Sequence, residues 1–185
     1  RWMVFGVSVA RAGDGPPEVR QGLAPREAFR VLDTWHVSGM RGTGSTEYEV
    51  EDLFVPAEMT FRMFIDPPRH PAAIFRLPGA FFGACVAAVP LGIARSAVAG
   101  LMRLATAKRS FPGRSALSEQ GFAQYAVAKA EALAESGSLY LHQAIDEVWQ
   151  KVQAGEASDI ALRARARRAC VQAAEASAEA VDLCC

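Results

Sequence analysis

Histidine and cysteine are scarce in this chain, and their scarcity excludes a good deal. Of its 185 residues only three are histidines (His36, His70 and His142) and four are cysteines (Cys85, Cys170, Cys184 and Cys185). No two cysteines make a C-x-x-C pair, so no tetrahedral zinc constellation can be read from the spacing and no metal site is expected. A secreted disulfide scaffold would be smaller and far richer in cysteine; this usage fits a reducing, cytoplasmic compartment. Net charge is missing as well: 20 basic residues balance 20 acidic ones. That leaves no electrostatic footprint for nucleic acid or an anionic membrane surface. The opening Arg1-Trp2-Met3-Val4-Phe5 is not a basic stretch leading into a long apolar run, so no signal peptide is read there. It reads instead as an internal segment of a longer protein. One run, the eighteen residues from Leu77 to Ala94, carries no charge, which is just long enough for a membrane span. It holds two prolines and three glycines, and its small residues outnumber its large aliphatic ones. A helix buried in a bundle or a subunit interface is therefore expected there, not a membrane segment.

What is abundant is alanine, and it divides the chain. Residues 1–66 contain 5 alanines and residues 67–185 contain 30. Alanine is the best helix former, so the second part reads as a helical bundle. The first part reads as short strands: Trp2–Ala10, Glu18–Leu23, Arg30–Val37 and Thr46–Val55, with a turn cluster at Ala12–Pro17. In the last of these Tyr48, Val50 and Phe54 share one face and Glu47, Glu49 and Glu51 the other. Four prolines between Pro67 and Pro78 mark the hinge. Beyond it three long helices are expected, from about Gly79 to Lys108 with a kink at Pro90, from about Ser118 to Val152, and from after Ser158 to the end. Ser118 is the expected N-cap of the second helix, and Gly155 suits its C-terminal cap. The second helix carries Phe122, Ala126, Ala130, Leu133, Leu141, Ile145 and Val148 at helical spacing. The third presents Ile160, Ala164, Cys170, Ala174, Ser177 and Val181 on one side. The fold class is an α+β fragment: the last strands of an antiparallel β-domain (1–66), then three helices of a four-helix bundle (67–185) whose fourth is missing.

The most distinctive string is Gly39-Met40-Arg41-Gly42-Thr43-Gly44-Ser45. It is no dinucleotide fingerprint, because a strand follows it, and no Walker loop, because it lacks Gly-Lys-Ser/Thr. By itself it is a tight connection between strands. In context, Trp35 through Ser45 followed by Val50-Glu51-Asp52-Leu53-Phe54-Val55-Pro56 closely resembles the acyl-CoA dehydrogenase superfamily. Pro90-Leu91-Gly92-Ile93-Ala94-Arg95 matches the first helix of that superfamily's C-terminal bundle. The resemblance covers essentially the whole chain, with the motifs in the right order.

Several expectations come with the resemblance. The spelling Asp33-Thr34-Trp35 with Arg41–Ser45 looks most like the flavin-dependent monooxygenase branch, which takes reduced flavin from a separate reductase and hydroxylates an aromatic or heterocyclic substrate with oxygen. Dehydrogenases of the family instead need a carboxylate base for the α-proton of an acyl-CoA. One subgroup keeps that base at the position of Phe82; the other keeps it downstream of Cys185, so Phe82 excludes one of two arrangements. The family's Arg-x-x-Phe-Gly contact to the flavin diphosphate of a neighbouring subunit corresponds here to Lys108-Arg109-Ser110-Phe111-Pro112-Gly113. This makes Lys108, Arg109 and Phe111 the candidate cofactor-binding residues. A lysine lacks the bidentate fork that suits a diphosphate, so the cofactor is FMN or FAD. Arg76 and Phe82 are the candidate substrate-binding residues, among the aromatics Phe75 and Phe81. No catalytic residue is assigned within the chain, and His142 reads as an ordinary, partly exposed histidine. The expected partners are a second copy of the chain in a homotetramer, a flavin reductase and a small aromatic or acyl substrate. Two alternatives stay open: an FAD-dependent acyl-CoA dehydrogenase, and a catalytically silent helical oligomerisation module.

Overall fold

Strand-forming residues in the first third pair into two small antiparallel sheets. In the computed structural model, which describes residues 1–10, 15–109 and 115–185 (Ala80 by its backbone alone), β1 is Trp2–Val9 and β2 is Glu18–Pro25. They pair antiparallel with Phe5 opposite Gly22. A Cβ at Gly22 would lie 2.6 Å from Cζ of Phe5, so glycine is what lets the ring lie across the strand. Phe5, Ala24 and Phe29 form the buried centre of this unit, with the Phe5 and Phe29 rings 5.3 Å apart and Tyr48 edge-on to Phe29.

Two expected strands shrink. Of Arg30–Val37 only β3, Arg30–Val31, pairs, and of Thr46–Val55 only β4, Tyr48–Glu49, does. The residues between them spend their hydrogen bonds on one another, as described below. After β4 the expected face turns outward, with Phe54 84% exposed, and Leu53 and Val55 pack against the Phe5–Phe29 cluster instead. A fifth strand not foreseen, β5 at Thr60–Phe61, adds to the free edge of β2. Of the Ala12–Pro17 turn cluster, residues up to Asp14 lie outside the described residues.

The chain divides into two units, Arg1–Pro67 and Pro68–Cys185. The second is three long helices: α1, Ala80–Ala107; α2, Gly121–Gln153; and α3, Ile160–Asp182. Pro90 lies inside α1 without ending it. The core is built in layers of small side chains. Ala87, Leu91, Leu141, Ala144, Ala169 and Ala173 make one, and Ala94, Val98, Ala130, Ala134 and Ala180 make another. A third, of Leu77, Val148, Val152 and Ala166, closes the end beside the hinge. Alanine at so many contacts lets helix axes approach towards the short end of the usual 8–10 Å range.

The buried face of α3 differs from the one expected. It is Ala166, Ala169, Ala173, Ala176, Ser177 and Ala180, while Ile160 is 78% exposed. Large side chains marked the wrong stripe because the real one is made of alanine. Phe122 in the first turn of α2 is likewise exposed.

Helix ends follow their capping chemistry with one correction. Ser118 sits in a short 3-10 turn, Leu117–Glu119, and the N-cap of α2 is Gln120, without a side-chain cap. Gly155 closes α2 at φ 79°, with its N–H on the Val152 carbonyl and that of Glu156 on Lys151. This is the paired bonding of a Schellman motif, which needs the left-handed residue that glycine supplies. Asp159 caps α3, its carboxylate accepting from the Leu162 N–H at 2.7 Å. Asp159→Ala should cost about 1 kcal/mol, read as a lower urea midpoint at unchanged slope.

Candidate functional site

The loop between β3 and β4 is organised around one carbonyl. Met40 takes a left-handed conformation at φ 55°. This aims its C=O at three donors: the Thr43 N–H at 3.1 Å, the Thr43 hydroxyl at 2.9 Å and the Trp35 indole N–H at 3.1 Å. Gly44, at φ 56°, then reverses the chain towards β4. Thr34 fastens the loop's far side by accepting from the Glu47 N–H at 3.1 Å. The string Trp35–Ser45 is thus a self-satisfied turn, in which tryptophan, threonine and the last glycine each have a stated task. Trp35→Phe keeps the ring and removes one of the three donors. It should loosen the loop by about 1 kcal/mol, measurable as faster amide exchange at Thr43 and Gly44.

The second motif, Pro90–Arg95, works inside the bundle. Leu91 and Ala94 are buried in two of its layers. Arg95 reaches across to α2, donating from Nη2 to the hydroxyl of buried Ser138 at 3.1 Å. His142, one turn on, has Nδ1 2.7 Å from the Ser138 carbonyl. A carbonyl only accepts, so Nδ1 carries a proton and donates. His142 is an exposed residue tied to its own helix, as expected. The Arg95–Ser138 link was not foreseen; a serine buried among alanines on α2 was its only trace in the sequence.

Arg76 ends a 3-10 turn, Ala73–Arg76, and donates from Nη2 to the Val152 carbonyl at 3.1 Å. It therefore satisfies a terminal carbonyl of α2 and sets a cation at the negative end of that helix. Phe82 lies in the first turn of α1, 60% exposed. With Val86, Val89 and Ile93, also exposed, it forms an uncharged stripe along α1 at offsets of four, three and four. The Phe81–Ala107 stretch of α1 is long and apolar enough to cross a bilayer.

Lys108 stands at the other end of α1, where its N–H bonds Leu104 at 2.8 Å and its carbonyl accepts from Leu117 at 2.8 Å. Arg109 bridges to Ala116. Phe111 lies outside the described residues. At 1.5 Å per residue, Phe82 and Lys108 are separated by about 39 Å along the helix. One small ligand cannot touch both in a single chain. The structure brings Arg76 and Phe82 to one end of α1 and Lys108 and Arg109 to the other.

Lys108 makes no side-chain bond among the described residues, so its ammonium is available to an anion. A helix C-terminus repels anions, so a phosphate there depends on these side-chain cations and not on the helix dipole. An ammonium and a guanidinium are side chains of the kind that hold a phosphate group. Burial pushes the Cys170 thiol up, and burial with the neighbouring Cys185 does the same to Cys184. Both are poor nucleophiles at neutral pH. Among the described residues, no three His, Cys, Asp or Glu side chains gather as a metal would need.

Residues 84–185 match the C-terminal domain of acyl-CoA dehydrogenases. The chain belongs to the acyl-CoA dehydrogenase family. Among similar proteins of this family, indole-3-acetate monooxygenase of Pseudomonas putida is 34% identical over 178 residues, 95% of this chain and 46% of that protein. The flavin-dependent monooxygenase oxygenase subunit HsaA of Rhodococcus jostii RHA1 is 29% identical over 98% of this chain and 50% of its own length. The crystal structure of 3-HSA hydroxylase from Rhodococcus sp. RHA1 superposes with a TM-score of 0.82 at 29% identity, covering 99% of this chain and 49% of that one. The chain spans about half the length of the curated relatives it matches. The family resemblance and the fold class are both borne out, and the two curated relatives named here are described as monooxygenases.

Proposed function

We propose that the protein is part of a flavin-dependent monooxygenase that hydroxylates a small aromatic or heterocyclic substrate with oxygen and reduced flavin supplied by a separate reductase. The observation that carries this reading is similarity along nearly the whole chain to proteins described as monooxygenases. The residues agree: Phe82 stands where one dehydrogenase subgroup keeps its base, and no carboxylate lies between Arg76 and Arg95. Flavin, FMN or FAD, when bound, supplies the oxygen chemistry. The chain's own part is to bind and to exclude water. Phe82 offers an aromatic wall, and Arg76 brings a guanidinium to the same end of α1 while anchoring α2. Lys108 and Arg109 would receive a phosphate, and Phe111 belongs to the same candidate string.

The separation of these groups along α1 supports a further element of the reading. If both ends serve flavin sites, they serve different sites, and each site is completed by a second copy of the chain. The uncharged stripe of Phe82, Val86, Val89 and Ile93 is suited to such an assembly, since exposed apolar faces of this kind mark interfaces. A homotetramer in the cytoplasm is the form proposed. Sedimentation of the intact protein at micromolar concentration should give a homo-oligomer; a clean monomer would contradict it. The activity itself is tested by supplying the intact protein with NADH, flavin and a flavin reductase, and looking for oxygen-dependent hydroxylated product.

A further inference from the structure

The turn that leads into α1 holds an exposed histidine in place. Ala73 and Leu77, four residues apart, turn inward to the layer of Val148 and Val152, and Arg76 ties the same turn to the Val152 carbonyl. Ile74 and Phe75 between them face outward, 56% and 57% exposed. His70 packs on the Phe75 ring, with centroids 4.9 Å apart and planes at 54°. Its Nδ1 lies 3.1 Å from the Ala72 backbone nitrogen. An amide N–H only donates, so Nδ1 is the acceptor and the proton of the neutral ring sits on Nε2. Among the described residues nothing takes the Nε2–H. The imidazole is held at two points while staying exposed. Ordering a side chain at the surface gives up rotamer freedom for little return in burial. It does, however, aim a donor before any ligand arrives, which is what a binding group needs.

The charge along this part of the chain has one sign. From Pro67 to Ser118 there are seven Lys or Arg and no Asp or Glu, in a sequence that is neutral as a whole. Arg69 and Arg76 stand on either side of the turn. The α2–α3 loop that follows Val152 carries two acids, and both are engaged: Glu156 pairs with Lys151 at 2.9 Å, and Asp159 caps α3. An aromatic molecule lying against Phe75 would therefore meet a fixed N–H donor among cations. Such a setting suits a negatively charged oxygen, and disfavours a cation or a second donor. We propose that His70 is a specificity-determining residue that donates from Nε2 to a carboxylate on the aromatic substrate. This rests on the reading that the Arg76–Phe82 end of α1 serves the substrate, and it narrows that substrate to aromatic acids.

Equilibrium binding of phenylacetate and of toluene to the intact, flavin-loaded protein tests it, since the two probes share a ring and differ in the carboxylate. The wild-type protein should bind phenylacetate about tenfold more tightly than toluene. His70→Phe keeps a ring against Phe75 and removes the donor, so it should weaken phenylacetate about tenfold and leave toluene unchanged. His70→Gln, whose side-chain amide offers an N–H in place of Nε2, should recover most of that loss. Equal weakening of both probes by His70→Phe would make His70 a structural residue and overturns the proposal. So does phenylacetate binding that is indifferent to His70→Phe, a glutamine that recovers nothing, or a wild-type protein without preference for phenylacetate. Turnover is read separately. Binding that behaves as expected in a protein that hydroxylates no aromatic compound supports the role of His70 and counts against the monooxygenase reading alone.

Discussion

Gly137→Leu should destabilise the helical unit by about 1–3 kcal/mol or more. Gly137 is buried in α2 where α1, α2 and α3 converge. A Cβ built there would lie 3.3 Å from Cα of Ala173, 3.5 Å from Cβ of Ala176 and 3.6 Å from Cδ2 of Leu91. The nearest of these is backbone, which cannot rotate away, so α3 itself must move. Inserting extra methylenes into a packed core of this kind costs about 1–3 kcal/mol and sometimes more. Domains of this size have only about 5–15 kcal/mol in hand. Gly137→Ala separates the causes. Alanine gains about 1 kcal/mol of helix propensity over glycine in a helix interior, and its one methyl group needs α3 to yield by only a few tenths of an ångström. The two effects are of similar size and opposite sign, so Gly137→Ala should fall within about 1 kcal/mol of the parent, while Gly137→Leu falls well below it. Urea unfolding followed by helix signal would read both. A leucine variant as stable as the parent would show that α3 is not held against α2 at this point.

How far the sequence foretold this depends on which residues did the packing. The three helices were legible because alanine has a strong local preference and because Gly155 and the region after Ser158 punctuate the chain. Their inward faces were less legible. An alanine stripe carries little hydrophobic contrast, so Ile160 and Phe122 drew attention to faces that the structure leaves exposed. In the first unit, β1 and β2 followed their composition. The strands on either side of the Trp35–Ser45 loop did not, because Trp35 and Thr43 bond to Met40, Thr34 takes the Glu47 N–H, and only two residues on each side are left to pair. Of the candidate site, the residue types were legible and their roles only partly so. Lys108 and Arg109 do lie together at one helix end, and Phe82 is presented outward. The bond from Arg76 to Val152 could not be foreseen, since it joins residues 76 positions apart in the chain. That bond gives Arg76 a structural duty whatever its part in binding. Arg76→Ala should therefore lower stability by about 1 kcal/mol even in a chain tested without flavin or substrate.

Kinetic separation of the two ends of α1 is the last expected result, and it bears on the reaction itself. In the intact protein supplied with reductase, NADH and FMN, Phe82→Ala should raise KM for the aromatic substrate about tenfold, while leaving the dependence on flavin concentration unchanged. Lys108→Ala should do the opposite, because a lost ammonium–phosphate contact and a lost aromatic wall each amount to about 1.4 kcal/mol, one factor of ten. The separation follows from what each residue would touch, an aromatic ring for Phe82 and a phosphate for Lys108, even where two copies bring both ends of α1 to one site. If Phe82 and Lys108 affected the same constant, the assignment of the ends to substrate and flavin would be wrong. The same assay decides the reaction class. A dehydrogenase lacking its base is slower by a typical factor of about 10² to 10⁴, and the charge-free stretch from Leu77 to Ala94 offers no replacement for one at Phe82. Product formation should stop when oxygen is removed or the reductase is omitted, and an acyl-CoA should fail to reduce the flavin. Rapid reduction by an acyl-CoA, with a glutamate supplied from further along the intact protein, would return the protein to the dehydrogenases.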